Sequence, residues 1–148
     1  MGTDLKISNN PINGVLMTHL KIIDVVDGDV LHAIKKTDAG FSGFGEAYFS
    51  TIDPGKIKGW KRHRRMTLNL IVPIGSIRFV IFNDNLDCQS VILSKENYLR
   101  LTIPPMLWMG FQGLSKSTSM LLNIASIPHQ PDEVDKKDLN EYEYDWSS

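Results

Sequence analysis

The feature that most constrains this chain is a side-chain alternation with a period of two in its middle third. Leu68, Leu70 and Val72 fall on one face, with Thr67, Asn69 and Ile71 on the other. After a turn over Pro73 to Gly75, Ile77, Phe79 and Ile81 oppose Arg78, Val80 and Phe82, and Asn83, Asp84 and Asn85 end the run. A period of two belongs to strands, not helices. Further short strands are read at 15–16, 20–26, 30–35, 46–52, 91–93, 98–103 and 120–127, separated by turn formers such as Asp27-Gly28-Asp29 and Asp53-Pro54-Gly55. The expectation is an all-β barrel or double sheet, with room for a helical turn or two between 134 and 142.

With 148 residues, 42% of them hydrophobic, the chain suits one compact domain spanning 1–148 with a real core. Residues 1–11 are expected as a flexible arm, and 128–148 as an acidic tail packed on the barrel, because Tyr142, Tyr144 and Trp146 are aromatics in an otherwise polar segment. No apolar run is long enough to cross a bilayer, and the opening residues lack the apolar stretch of a secretory signal. A lone cysteine, Cys88, has no internal disulfide partner. The expectation is a soluble cytoplasmic protein without membrane contact.

The net charge of −1 conceals an asymmetry. Lys56, Lys58, Lys61, Arg62, Arg64 and Arg65 surround His63 with no acid among them, whereas Asp132, Glu133, Asp135, Asp138, Glu141, Glu143 and Asp145 crowd the tail. The cationic stripe reads either as an anion site or as a strand with solvated outward positions. A nucleic-acid partner is not expected, since the domain as a whole is not basic.

Chemically, one cysteine and the scattered histidines His19, His32, His63 and His129 do not make a metal site, and no nucleophile elbow is present. The glycine-rich stretch at Gly40, Gly43 and Gly45 lacks the spacing of a phosphate loop and is read as structural. What remains is His63 in the cationic strand, Glu46 and Tyr48 nearby, and the exposed-looking Trp60 and Trp108. Those parts suit proton transfer on an anionic ligand.

Three stretches, IKGWKRHRRMTLNLIVPIGSIRFVIFND, LTIPPMLWMGFQGL and LLNIASIPHQPDE, followed by YDW, resemble the cupin-fold family of dTDP-4-dehydrorhamnose 3,5-epimerases and its sugar-nucleotide ketoisomerase relatives. The resemblance implies a double-stranded β-helix, the cupin jelly roll, with a short partly helical C-terminal tail. It also implies a homodimer, a nucleoside-diphosphate sugar as substrate (a dTDP-sugar first), no cofactor and no metal, and work in surface-polysaccharide (lipopolysaccharide, O-antigen) biosynthesis. Carried onto this chain, the first histidine of the family's paired motif stands as Lys61 and the second as His63. The histidine of the later motif stands as Met109, and the epimerases' tyrosine as Asn123.

The reaction so implied is proton abstraction beside a sugar ketone. His63 is the expected base and Tyr48 the proton donor, with Lys61 or Lys58 beside the enolate oxygen. Alternation separates Lys61, His63 and Arg65 from Arg62 and Arg64, and the set containing His63 is assigned to the interior. Trp60 then points away from His63, as packing or interface. The expected substrate-binding residues are Lys58, Arg65, Glu46, Asn69, Asn123 and His32. Glu46 is read as holding His63 or a sugar hydroxyl, or as a simple exposed carboxylate. The alternative function is a non-catalytic cupin that binds a nucleotide sugar or a pathway partner.

Overall fold

The computed structural model describes residues 11–147; most of the expected N-terminal arm lies outside them. Among the described residues twelve strands follow one another: β1 (Leu16–His19), β2 (Ile22–Ile23), β3 (Val30–Leu31), β4 (Glu46–Ile52), β5 (Ile57–His63), β6 (Leu68–Ile74), β7 (Ser76–Phe82), β8 (Cys88–Ser94), β9 (Leu99–Ile103), β10 (Trp108–Gly113), β11 (Ser119–Ala125) and β12 (Val134–Lys136). The strand order β1-β9-β6-β11-β4 makes one antiparallel sheet and β12-β5-β10-β7-β8 the other, with β2 and β3 paired as a small hairpin. Sequence neighbours such as β6 and β7 lie in different sheets, the pattern of a jelly roll.

Alternation explains the core. Leu68, Leu70 and Val72 of the first sheet meet Ile77, Phe79 and Ile81 of the second, with Leu93, Leu101, Ile103 and Leu121 completing the interior. The opposite face of β7 is also covered. Val80 and Phe82 join Trp60, Cys88 and Trp108 in a second cluster, closed by Tyr142, Tyr144 and Trp146. Phe82 stacks on Tyr142 with ring centroids 4.4 Å apart, and the Trp60 indole N–H donates to the Leu139 carbonyl at 3.1 Å. Trp60 and Trp108 are therefore buried, at 1% and 4% exposure, and not the exposed platforms their surroundings in the sequence suggested. Trp60 is packing, as its alternation implied.

The tail departs from the helical expectation in one respect. Its 3-10 turns at Pro131–Glu133 and Leu139–Glu141 are separated by β12, which pairs with β5 and sets Asp135 opposite Arg62 and Lys136 opposite Lys61. The cationic stripe and the acidic tail are thus adjacent strands. The expected strand at 20–26 shortens to Ile22–Ile23, because Asp27, at φ 71°, and Gly28 turn the chain back toward β3.

Candidate functional site

A cavity of about 340 Å³ opens between the sheets, within the range that holds small ligands. Its wall takes Tyr48 from β4, Lys58, Lys61 and His63 from β5, Asn123 from β11 and Lys136 from β12. Leu68, Leu70 and Leu121 form an apolar floor, and Met109 and Phe111 of β10 stand beside the lysines.

Simple alternation would send Lys58 to the face opposite Lys61. A β-bulge prevents this: Met109 pairs with Lys61 while Phe111 pairs with Lys58, so β5 holds an extra residue where β10 has only Gly110. A side chain at Gly110 would stand 3.1 Å from carbons of the Trp60 ring, so the bulge and the buried indole require a glycine there. Lys58 consequently reaches the cavity wall, where its ammonium donates to the Thr51 carbonyl at 2.8 Å.

His63 is held by a residue that the sequence reading did not select. Its Nδ1 lies 2.5 Å from Oε1 of Glu133, whose side chain is fully buried. Oε2 of Glu133 accepts from the backbone N–H groups of Arg65 at 3.1 Å and Met66 at 3.3 Å. Burial pushes this carboxyl up. The His63 hydrogen bond, the Arg65 N–H, the His63 charge and the Met66 N–H together outweigh burial and hold it below the usual glutamate range. An ionised carboxylate can only accept, so Nδ1 carries a proton, and in the neutral imidazole the free lone pair is then on Nε2. An imidazole so oriented has the geometry that a general base requires.

Across the cavity, Asn123 is inward and buried, and its Nδ2 donates to the Tyr48 hydroxyl at 3.1 Å. Lys61 has an ammonium pulled below its ordinary pKa by burial and by the nearby charges of Lys136 and Lys58.

The structure places four expected binding residues away from this wall. Strand β5 ends at His63, so alternation no longer governs Arg65; it turns outward to Gln130 at 2.7 Å and Asp132 at 3.6 Å. Asn69 shares β6 with the inward leucines and so faces the other way, under the loop at Gly40. There its Nδ2 donates to the Gly40 carbonyl and its Oδ1 accepts from Thr102. Glu46 sits at the start of β4 outside the cavity lining, and Glu133 is the carboxylate that holds His63. His32 follows β3, its backbone bonded to Lys21 and Tyr98.

The outward arginines are paired. Arg62 and Arg64 both bind Asp135, at 2.8 and 2.6 Å, and these two hydrogen bonds hold the Asp135 carboxyl down at about 2. These two arginines of the stripe are therefore engaged by the tail and do not form an anion site. Glu133 and Lys136 escaped the sequence reading, although one signal pointed to them: an acidic segment in a chain with one basic strand is that strand's natural partner.

The family model described as FdtA: WxcM-like, C-terminal matches residues 13–144. The chain belongs to this family. A dTDP sugar isomerase from Desulfovibrio desulfuricans G20 is 33% identical, with a TM-score of 0.85 over 88% of each chain. QdtA, a sugar 3,4-ketoisomerase from Thermoanaerobacterium thermosaccharolyticum solved with TDP, shares the fold at 20% identity and a TM-score of 0.74, covering 85% of this chain and 90% of its own. Among curated proteins, the probable low-salt glycan biosynthesis epimerase Agl13 of Haloferax volcanii is 24% identical over 113 residues, which are 69% of this chain and 72% of that protein. The FdtA-like chain is thus a cupin-fold member of the sugar-nucleotide epimerases and isomerases, as the motif order implied.

Proposed function

We propose that this chain isomerises or epimerises a nucleoside-diphosphate keto-sugar, a dTDP-sugar first, by moving a proton beside the ketone. The observation that carries this reading is the His63–Glu133 pair on the wall of the cavity. His63 Nε2 takes the proton from the carbon next to the carbonyl, and Glu133 stabilises the imidazolium that forms. Lys61 stabilises the enolate oxygen, for which a partly desolvated ammonium is effective. Tyr48 returns a proton, its hydroxyl positioned by Asn123.

In the same reading the enzyme is cytoplasmic and serves the synthesis of a surface glycan such as lipopolysaccharide. Residues 1–148 act as one cupin unit. Among the described residues no helix is long and apolar enough to cross a membrane. In the same reading the protein is a homodimer, for which Phe49 of β4, 63% exposed, supplies an apolar contact.

The test is deuterium wash-in followed by NMR, with dTDP-4-keto-6-deoxyglucose in heavy water. Wild type is expected to exchange a sugar proton beside the ketone, His63→Asn to abolish exchange, and Tyr48→Phe to slow turnover by about a hundredfold while leaving the fold intact. Exchange that survives His63→Asn would remove the imidazole from the mechanism.

A further inference from the structure

His129 lines the cavity, yet the proton transfer described above gives it no task. After β11 the chain crosses from the first sheet to the second, arriving at β12 where Val134 pairs with His63, the last residue of β5. Ser126 ties down the start of this crossing: its backbone N–H donates to the Thr67 carbonyl at 3.1 Å, and its hydroxyl accepts from the Thr67 N–H at 2.8 Å. Farther on, the side-chain oxygen of Gln130 accepts from Arg65 at 2.7 Å. Between these ties the backbone at Ile127 and Pro128 packs on Gly45, where a side chain would strike it. Pro128 and Pro131 fix their own φ and hold the residues before them extended, as Gln130 is at φ −135° and ψ 122°. Neighbouring side chains of an extended segment point opposite ways. Gln130 accordingly turns out to Arg65, while His129 and Pro131 line the cavity. A rigid stretch thus presents the His129 imidazole at the rim, exposed and, among the described residues, without a hydrogen-bond or ion-pair partner.

We propose that His129 is a diphosphate contact of this site, donating a hydrogen bond to the phosphate that carries the sugar. The proposal rests on the nucleotide-sugar reading above and deepens it. Direction argues for the phosphate. In that reading the ketone oxygen lies at Lys61 and the carbon beside it at His63, two residues and about 7 Å farther along β5. In a 4-keto sugar the anomeric carbon stands across the ring from the ketone carbon. The path from the ketone through the reacting carbon to the anomeric centre therefore runs from Lys61 past His63. The diphosphate then leaves the ring toward the end of β5, where residues 128–131 cross. An imidazole N–H aimed at a phosphate oxygen makes a charge-assisted bond. The neighbouring cations of the stripe have other work: Lys58, toward the opposite end of β5, is tied to the Thr51 carbonyl at 2.8 Å and lies over the Phe111 ring, and Arg62 and Arg64 bind Asp135. Arg65 holds Gln130 and offsets Asp132 at 3.6 Å, so that this carboxylate, three residues from His129, does not repel an anion at the rim.

The experiment is calorimetric titration of the full chain with dTDP and dTMP, and with UDP and UMP, for wild type and His129→Ala. His129 is exposed, so its replacement keeps the fold, and circular dichroism checks this. The phosphate that carries the sugar is present in the diphosphates and missing from the monophosphates. Wild type is expected to bind the diphosphate at least about tenfold tighter than the monophosphate of the same base, the strength of a hydrogen bond to a charged group. His129→Ala is expected to bring that ratio near one and to leave the monophosphate affinity as it was. A ratio unchanged in His129→Ala would overturn the proposal and leave the nucleotide-sugar reading standing. So would equal affinities in wild type, or a variant that weakens diphosphate and monophosphate alike, which would assign the imidazole to the nucleoside. Failure of all four nucleotides to bind wild type would overturn both readings together.

Discussion

Glu133→Gln removes one charge at the centre of the site and changes no volume. Glu133 is fully buried and accepts three hydrogen bonds, from His63 Nδ1 and from the backbone N–H groups of Arg65 and Met66. A glutamine has one accepting oxygen. With its oxygen toward the two backbone donors, its N–H₂ faces Nδ1 and pairs with it only by driving the imidazole proton to Nε2; turned the other way, it confronts the two backbone N–H groups. A buried donor left unpaired costs about 1–3 kcal/mol, and breaking a buried charged pair about 3–5 kcal/mol, so a loss near 3 kcal/mol at pH 7 is expected in urea denaturation. Turnover should fall at least about a hundredfold, because His63 loses the acceptor that fixes its tautomer.

The pH dependence has a definite sign. The folded-state pKa of Glu133 is depressed, so its contribution is complete above the ordinary glutamate value near 4.5 and is lost as pH falls through the lower, folded one. The stability gap between wild type and Glu133→Gln should therefore persist from neutral pH down to the ordinary glutamate value near 4.5 and narrow as pH falls from there through the lower, folded one. A gap below about 1 kcal/mol at pH 7, or one that widens on acidification, would refute the argument that the carboxylate is ionised and fully bonded.

Two further outcomes are expected. Trp60→Ala should destabilise the protein by about 3–5 kcal/mol in the same assay, since the indole is buried against Phe82, Tyr142 and Trp146 and anchors Leu139; a loss under about 1 kcal/mol would mean that the tail does not depend on it. The Asp135 carboxyl, followed by carbon NMR, should titrate near 2, with the Arg62 and Arg64 pairing complete above the ordinary aspartate value and lost as pH falls through the depressed one; a midpoint near 3.8 would show the arginines unpaired in solution.

The sequence by itself determined the class of fold and the inward face of the main strands. Leu68, Leu70, Val72, Ile77, Phe79 and Ile81 could be placed without coordinates, because a strand has a strict period of two and apolar side chains must leave water. The same rule, with the order of motifs, put His63, Lys61, Tyr48 and Asn123 within reach of one cavity. Where a strand ended or bulged, the rule ceased to hold: Arg65 lies past the end of β5, and Lys58 lies across the bulge that sets Gly59 and Trp60 against Gly110 of β10. Only the tertiary structure decided what faces His63. Glu133 and Lys136 are about 70 residues away along the chain and enter the site because β12 folds back on β5, a pairing set by long-range charge and by the aromatic tail on the outer sheet face. Local patterning shows which side of a strand a residue occupies. Which strand lies beside it depends on contacts between distant segments, and those exist only once the chain has closed on itself.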